Sequence, residues 1–140
     1  MNDSVDLLTR TITDLDEVRL MNLLRRQFGA TPPPLAQSLL AVLDHADVVA
    51  PQAIGADVVT MGSRIALQLA SGETRELSVV YPEDANADEA RMSILSPIGA
   101  ALLGAHVGDA VSWQGTGGGA TQAHIQAVLF QPEASGDFTA

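Results

Sequence analysis

The chain has 140 residues, 46% of them hydrophobic and 17% charged, with 17 acids against 7 basic residues and a formal charge of −10. This is the composition of one folded domain, or of one domain with a small appendage, and not of a disordered acidic tail. Every basic residue is arginine and there is no cysteine, which excludes phosphate-loop and Schiff-base lysines, a lysine-rich nucleic-acid patch, disulfides, thiolate zinc sites and cysteine nucleophiles.

The opening run MNDSVDLLTRTITDLDE carries acids and no continuous apolar stretch, so it is not a signal peptide. No stretch approaches the roughly 18 apolar residues that cross a bilayer. A cytoplasmic protein without membrane contact is expected. An acidic surface is repelled by phosphate backbones, so sequence-specific binding of nucleic acid is not expected, and a protein or a small ligand is the natural partner.

Between Asp14 and Phe28 the apolar residues Leu15, Val18, Leu20, Met21, Leu23, Leu24 and Phe28 recur at helical spacing. Asp14 followed by Glu17 resembles a capping box with Asp14 as the cap, and Gly29 stands where such a helix stops. Thr31 before Pro32, Pro33 and Pro34 predicts a second cap. The stripe Leu35, Leu39, Val42, Leu43 and Ala46 then predicts a second helix. Two such helices separated by about five residues predict a short antiparallel hairpin over residues 1–50, with arms of roughly 20 Å.

From Pro51 onward the texture is β, and residues 51–140 are expected to form a second unit. Asp57–Met61, Arg64–Ala70, Thr74–Val80 and Ala90–Leu95 read as consecutive antiparallel strands separated by turn residues. Ser71-Gly72 predicts a tight turn, and Pro82–Glu89 a longer acidic loop. Ser96-Pro97 opens a short helix, with serine as cap and proline in the first turn, and Gly104 closes it. Gly108-Asp109 leads into a strand from Ala110 to Gln114, the run Gly115–Ala120 predicts a hairpin, and Thr121–Phe130 the last strand. The fold class is α+β: a helical hairpin, then an antiparallel sheet wrapped on one short helix.

Motifs for chemistry are sparse. The glycine run from Gly115 to Gly119 has no lysine and no helix behind it, so it reads as a turn and not as a phosphate cradle. Asp84-x-Asn86-x-Asp88 opens like a calcium loop but has Glu89 where glycine is needed and Leu95 where a bidentate glutamate is needed. His45, His106 and His124 show no metal-site spacing. No serine sits in a nucleophile elbow. A carboxylate pair holding Mg²⁺ is the remaining chemical option, yet Gln27–Leu35 contains no acid and follows Arg25 and Arg26. Neither a cofactor nor a metal is expected.

The segment from Met92 to Asp109, MSILSPIGAALLGAHVGD, resembles the S-P-[IL]-x-x-A-L-[LI]-G-x-x-x-G-D signature of the Gre transcript-cleavage factors. Asp57–Arg64, Tyr81-Pro82 and Phe130–Asp137 agree with it. These details are more similar to the Rnk branch of the family than to GreA or GreB, and the resemblance covers about residues 14 to 138. It implies a C-terminal FKBP-like domain that docks on the rim of the RNA polymerase secondary channel. In Gre factors a long coiled coil enters that channel, with acids at its tip helping to hold a catalytic Mg²⁺. Here the arms are short and the tip carries Arg25 and Arg26, so a monomeric regulator of RNA polymerase is implied, not an enzyme and without cleavage activity.

By the same resemblance the polymerase contact falls on Ser96 and Pro97, with Leu95 in a position that is commonly Asp or Asn in Gre proteins. An exposed Leu95 beside Ile98 is expected to anchor it by apolar contact. Two other functions are open at this stage. An FKBP-like domain suggests peptidyl-prolyl isomerisation, which needs an aromatic-lined pocket that Trp113, Tyr81, Phe28, Phe130 and Phe138 would have to supply. The Rnk branch is also associated with indirect regulation of nucleoside diphosphate kinase.

Overall fold

The computed structural model describes residues 10–29, 33–114 and 120–137. Strand β1 (Thr11–Thr13) leads directly into helix α1 (Asp14–Phe28), followed by helix α2 (Pro34–His45) and strand β2 (Asp47–Val49). Strands β1 and β2 pair in parallel, Thr11 opposite Asp47 and Thr13 opposite Val49. Such a pairing needs a long crossover, and the two helices provide it. The cap of α1 is Thr13, whose side chain accepts from the Asp16 amide at 3.0 Å, so Asp14 is the first helical residue and not the cap. Gly29 ends α1 as the spacing predicts, with φ at 65° and its amide bonded to the Arg25 carbonyl. Helix α2 has Pro33 in its cap position and no side-chain cap, so it is not capped by Thr31 as expected; Thr31 itself lies outside the described residues.

Strands β3 (Arg64–Leu69), β4 (Thr74–Val80), β5 (Arg91–Ser93), β6 (Ala110–Gln114) and β7 (Ala120–Phe130) form one sheet in the order β5-β4-β3-β7-β6. Three of its four pairings are antiparallel, but β5 runs parallel to β4. The sheet is therefore mixed, and not antiparallel throughout as the sequence predicts. The acidic segment folds into two tight 3-10 turns, Pro82–Asp84 and Ala87–Glu89, and this carries the chain back to start β5 in the parallel sense. Two register shifts between β3 and β7 interrupt the ladder, the kind of irregularity that bends a strand.

Asp57–Met61 is not a strand of this sheet. Val58–Met61 is buried while Asp57 is exposed in a turn, and the segment's bonding partner is the turn after the short helix. The Val59 amide donates to Ala105, the Val59 carbonyl accepts from Gly104, and the Val107 amide donates to Asp57, all at 2.8–2.9 Å. That short helix, α3 (Pro97–Leu102), is capped by Ser96 as predicted. Of the hairpin expected at Gly115–Ala120, residues 115–119 lie outside the described residues, although β6 and β7 on either side pair antiparallel, Gln114 opposite Ala120.

A single cluster of buried side chains runs through the molecule. Leu20, Leu23 and Leu24 of α1 and Leu39 and Leu43 of α2 join Ile65, Leu67, Leu77, Val79, Ile125 and Leu102. Each fully buried aliphatic side chain contributes about 1.5–3 kcal/mol. This continuity fixes the helices against the sheet. No described helix is long and apolar enough to cross a membrane.

Candidate functional site

The Ser96-Pro97 step sits on a tightly bonded turn. Ser96 Oγ accepts from the Gly99 amide at 3.2 Å and donates to the Ser93 carbonyl at 2.6 Å. Ser93 Oγ in turn accepts from the Leu95 amide at 3.0 Å, and the Ser96 amide bonds the Ser93 carbonyl at 2.9 Å. The serine thus satisfies a free helix amide while its hydroxyl proton locks the preceding strand end. Pro97 is left exposed at the first helical position.

The apolar neighbours behave differently from expectation. Leu95 and Ile98 are half-buried and pack against the core, so Leu95 is not an exposed anchor. Its aliphatic side chain has more to gain from the core than from solvent. The accessible part of the turn is Pro97, flanked by the polar edge of Ser96.

Gly99 explains how close the turn is. A Cβ there would fall inside contact distance of the Ser93 carbonyl oxygen and 2.9 Å from Ile94 Cα. Only glycine lets the first turn of α3 lie on the end of β5. At the other end of the same helix, Arg10 Nη1 donates to the carbonyls of Ala101 at 2.8 Å, Leu103 at 2.9 Å and Ala100 at 3.3 Å. A cation against the unpaired carbonyls of a helix end is favourable for both hydrogen bonding and the dipole. Burial pushes the Arg10 guanidinium below its ordinary pKa, and nearby Asp109 opposes that shift.

A second polar cluster joins α1 to the chain's C-terminal segment. Asp16 Oδ2 accepts from the Met61 amide at 3.3 Å, and Thr60 Oγ1 donates to Glu133 Oε1 at 2.7 Å. Ser63 Oγ accepts from the Thr60 amide at 2.9 Å, and Gln131 Nε2 donates to the carbonyls of Gly55 and Val58, both at 2.8 Å. Asp16 is 2% exposed and Glu133 8%. Burial above all, with the Glu133 charge adding to it, pushes Asp16 up to about 6.

Arg25 and Arg26 lie exposed in the last turn of α1. With Arg19 and Asn22 on the same face, and with Tyr81 and Glu83 opposite, they line an open groove of about 650 Å³. The sequence reading places Arg25 and Arg26 at a helix end but misses Arg19 and Tyr81, because Tyr81 is brought alongside only by the fold. His45, His106 and His124 are not brought together, and among the described residues no group of His, Asp and Glu has the makings of a metal site. The turn at Asp84–Asp88 is self-contained: Asn86 Oδ1 accepts from the Asp88 amide at 3.0 Å.

The family model "Transcription elongation factor, GreA/GreB, C-term" matches residues 54–130. A protein of Escherichia coli strain K12 described as "Regulator of nucleoside diphosphate kinase" is 40% identical over 131 residues, covering 93% of this chain and 96% of its own. The "Transcription elongation factor GreA" of Thermodesulfovibrio yellowstonii is 34% identical over 77 residues, 54% of this chain and 49% of its own. Among solved structures, a "Prokaryotic transcription elongation factor GreA/GreB from Nitrosomonas europaea" superposes with a TM-score of 0.72 at 36% identity, covering 87% of this chain and 98% of that one. The family model spans only the β-rich part, whereas the match to the Escherichia coli regulator, over 93% of the chain, takes in the helices as well.

Proposed function

Since the chain belongs to the GreA/GreB transcription elongation factor family, on its Rnk branch, we propose that it is a non-enzymatic regulator that binds RNA polymerase at the rim of the secondary channel. In this reading residues 51–140 form the FKBP-like docking unit. Residues 1–50 supply a short helical hairpin at the channel mouth. The observation that carries the docking claim is the Ser96-Pro97 turn, which is rigidly bonded from within yet offers Pro97 to a partner.

The inert hairpin follows from charge. Holding a catalytic Mg²⁺ takes carboxylates. The last turn of α1 carries Arg25 and Arg26, and Gln27–Leu35 has no acid. Such a protein competes with longer channel-binding factors without stimulating cleavage.

The decisive experiment is a pull-down of RNA polymerase with the wild type and with Pro97→Asp. An acid at the first helical position suits the helix dipole, so the cap at Ser96 is retained while the presented surface changes. Loss of binding supports the interface; equal binding by both proteins removes it. Stimulated cleavage in a backtracked complex would overturn the inert hairpin.

The name of the Escherichia coli relative raises a second reading, regulation of nucleoside diphosphate kinase. Purified protein added to that kinase tests it directly, and an unchanged rate leaves only an indirect effect. For prolyl isomerisation the support is poor, since both the groove along α1 and the smaller cavity lined by Met61, Gly62, Val80 and Asp84 have Tyr81 as their single aromatic wall.

A further inference from the structure

The chain carries ten more negative than positive charges, with seven arginines in all. Three of the seven, Arg19, Arg25 and Arg26, line one groove. They project from α1 at i, i+6 and i+7, with Asn22 between them, so that one helix face is a cationic row. At about 1.5 Å of rise per residue the row is roughly 10 Å long. Facing it are Tyr81, whose buried hydroxyl stands beside Arg19, and Glu83 on the rim.

We propose that this groove is a binding site for a small ligand bearing an oligophosphate, with Arg25 and Arg26 holding one end of the phosphate chain and Arg19 the other. Guanidinium groups pair bidentately with phosphate oxygens, and arginine serves this role where lysine is absent. The row is too long for one orthophosphate to engage at both ends, and it matches two or three linked phosphates. A volume of about 650 Å³ is that of a small-molecule site. The exposed Asn22 supplies a neutral hydrogen-bonding group for the remainder of the ligand, and Tyr81 supplies an aromatic wall.

The surroundings decide between a small anion and a long one. The cationic row is an island: Glu83 lies across the groove, Asp84 lines the adjoining cavity on the same side as Tyr81, and Asp16 on α1 is close enough to Arg19 to interact with it. A nucleic-acid strand leaving the groove would run onto this acidic surface. The Debye length at physiological salt is about 8 Å, so the repulsion is felt as soon as the strand extends beyond the site. A compact oligophosphate stays within the island.

Calorimetric titration of the full chain at about 0.15 M salt tests this, with tripolyphosphate, a nucleoside triphosphate, orthophosphate and a short single-stranded RNA as separate probes. Tripolyphosphate is expected to bind and orthophosphate to bind at least about tenfold more weakly. A nucleoside triphosphate tighter than tripolyphosphate identifies a nucleotide, and equal affinity identifies the phosphate chain alone. Both exposed arginines are removed in Arg25→Ala/Arg26→Ala, which is expected to weaken binding about tenfold or more with an unchanged circular dichroism spectrum. Arg75→Ala/Arg91→Ala makes the same change in net charge elsewhere. Equal weakening in the two double variants, no tripolyphosphate binding by the wild type, or tighter binding of the RNA would overturn the proposal.

Discussion

Arg10 Nη1 donates to the carbonyl of Leu103 at 2.9 Å, joining a residue that precedes the first helix to the end of the helix that presents Pro97. The same nitrogen reaches the carbonyls of Ala100 and Ala101, and the Thr11 amide bonds the Gly104 carbonyl at 2.9 Å. The N-terminal segment is therefore a clamp on α3, and the presented turn depends on residues far from it in sequence.

Arg10→Ala is expected to destabilise the fold by about 2 kcal/mol, the scale of hydrogen bonds from a charged donor to otherwise unpaired groups. Urea unfolding followed by circular dichroism measures it. A change below about 0.5 kcal/mol would mean that water replaces the guanidinium at these carbonyls, and that the clamp is not structural.

Gly99→Ala tests the packing under the Ser96-Pro97 turn. The added methyl meets backbone atoms of Ser93 and Ile94, which cannot swing aside as a side chain can. Overpacking of this kind costs about 1–3 kcal/mol, and the upper end is expected because the gain in helix propensity at a first-turn position is small. The partner assay should weaken along with stability, since relief of the clash tilts α3. Full stability in the alanine variant would show that β5 and α3 separate without cost.

Thr60→Val keeps the volume and removes the hydroxyl that serves Glu133. Leaving a buried carboxylate without its donor is expected to cost about 2 kcal/mol. A double-mutant cycle with Glu133→Ala, which removes the acceptor, isolates the pair, and a coupling near zero would assign the loss to the Thr60–Ser63 contact instead.

Much of this architecture is readable in the sequence wherever the signal is local. Ser96 caps a helix three residues from the amide that it accepts, and α1, β3 and β4 follow from spacing alone. What escapes is set by distance along the chain. Strands β1 and β2 are three residues each, too short for a periodic signal, and exist because two helices bring them together. Strand direction is not encoded in alternation, so β5 reads as antiparallel until the 3-10 turns before it are seen. Asp57–Met61 has the pattern of a strand because an extended buried segment shows the same alternation whether it pairs with a sheet or with a turn. Around the candidate site, the cap at Ser96 and the first-turn position of Pro97 are legible. Arg10, Asp16, Glu133 and the pairing of Arg19 with Tyr81 are not, because each acquires its meaning from a residue dozens of positions away.

Asp16 gives the fold a pH dependence with a definite sign. Its carboxyl is buried on α1, bonded to the Met61 amide and close to the Glu133 charge, with the Thr13 hydroxyl and Arg19 favouring ionisation less strongly than burial opposes it. The native pKa of about 6 lies above the ordinary 3.8, so between these values the native state binds more protons than the unfolded chain. Stability from this group is fully present below the unfolded pKa and is lost as pH rises through 6. A shift of this size corresponds to about 3 kcal/mol. Asp16→Asn retains an oxygen to accept from Met61 and cannot ionise. Across pH 4.5 to 7.5 its urea-unfolding stability is expected to be flat where that of the wild type falls, and at pH 7.5 it is expected to exceed the wild type despite losing a favourable helix-dipole charge of about 0.3–1 kcal/mol. If the two proteins keep a constant difference over this range, Asp16 ionises in the native state as it does in the unfolded one, and the stabilising partner is then Arg19.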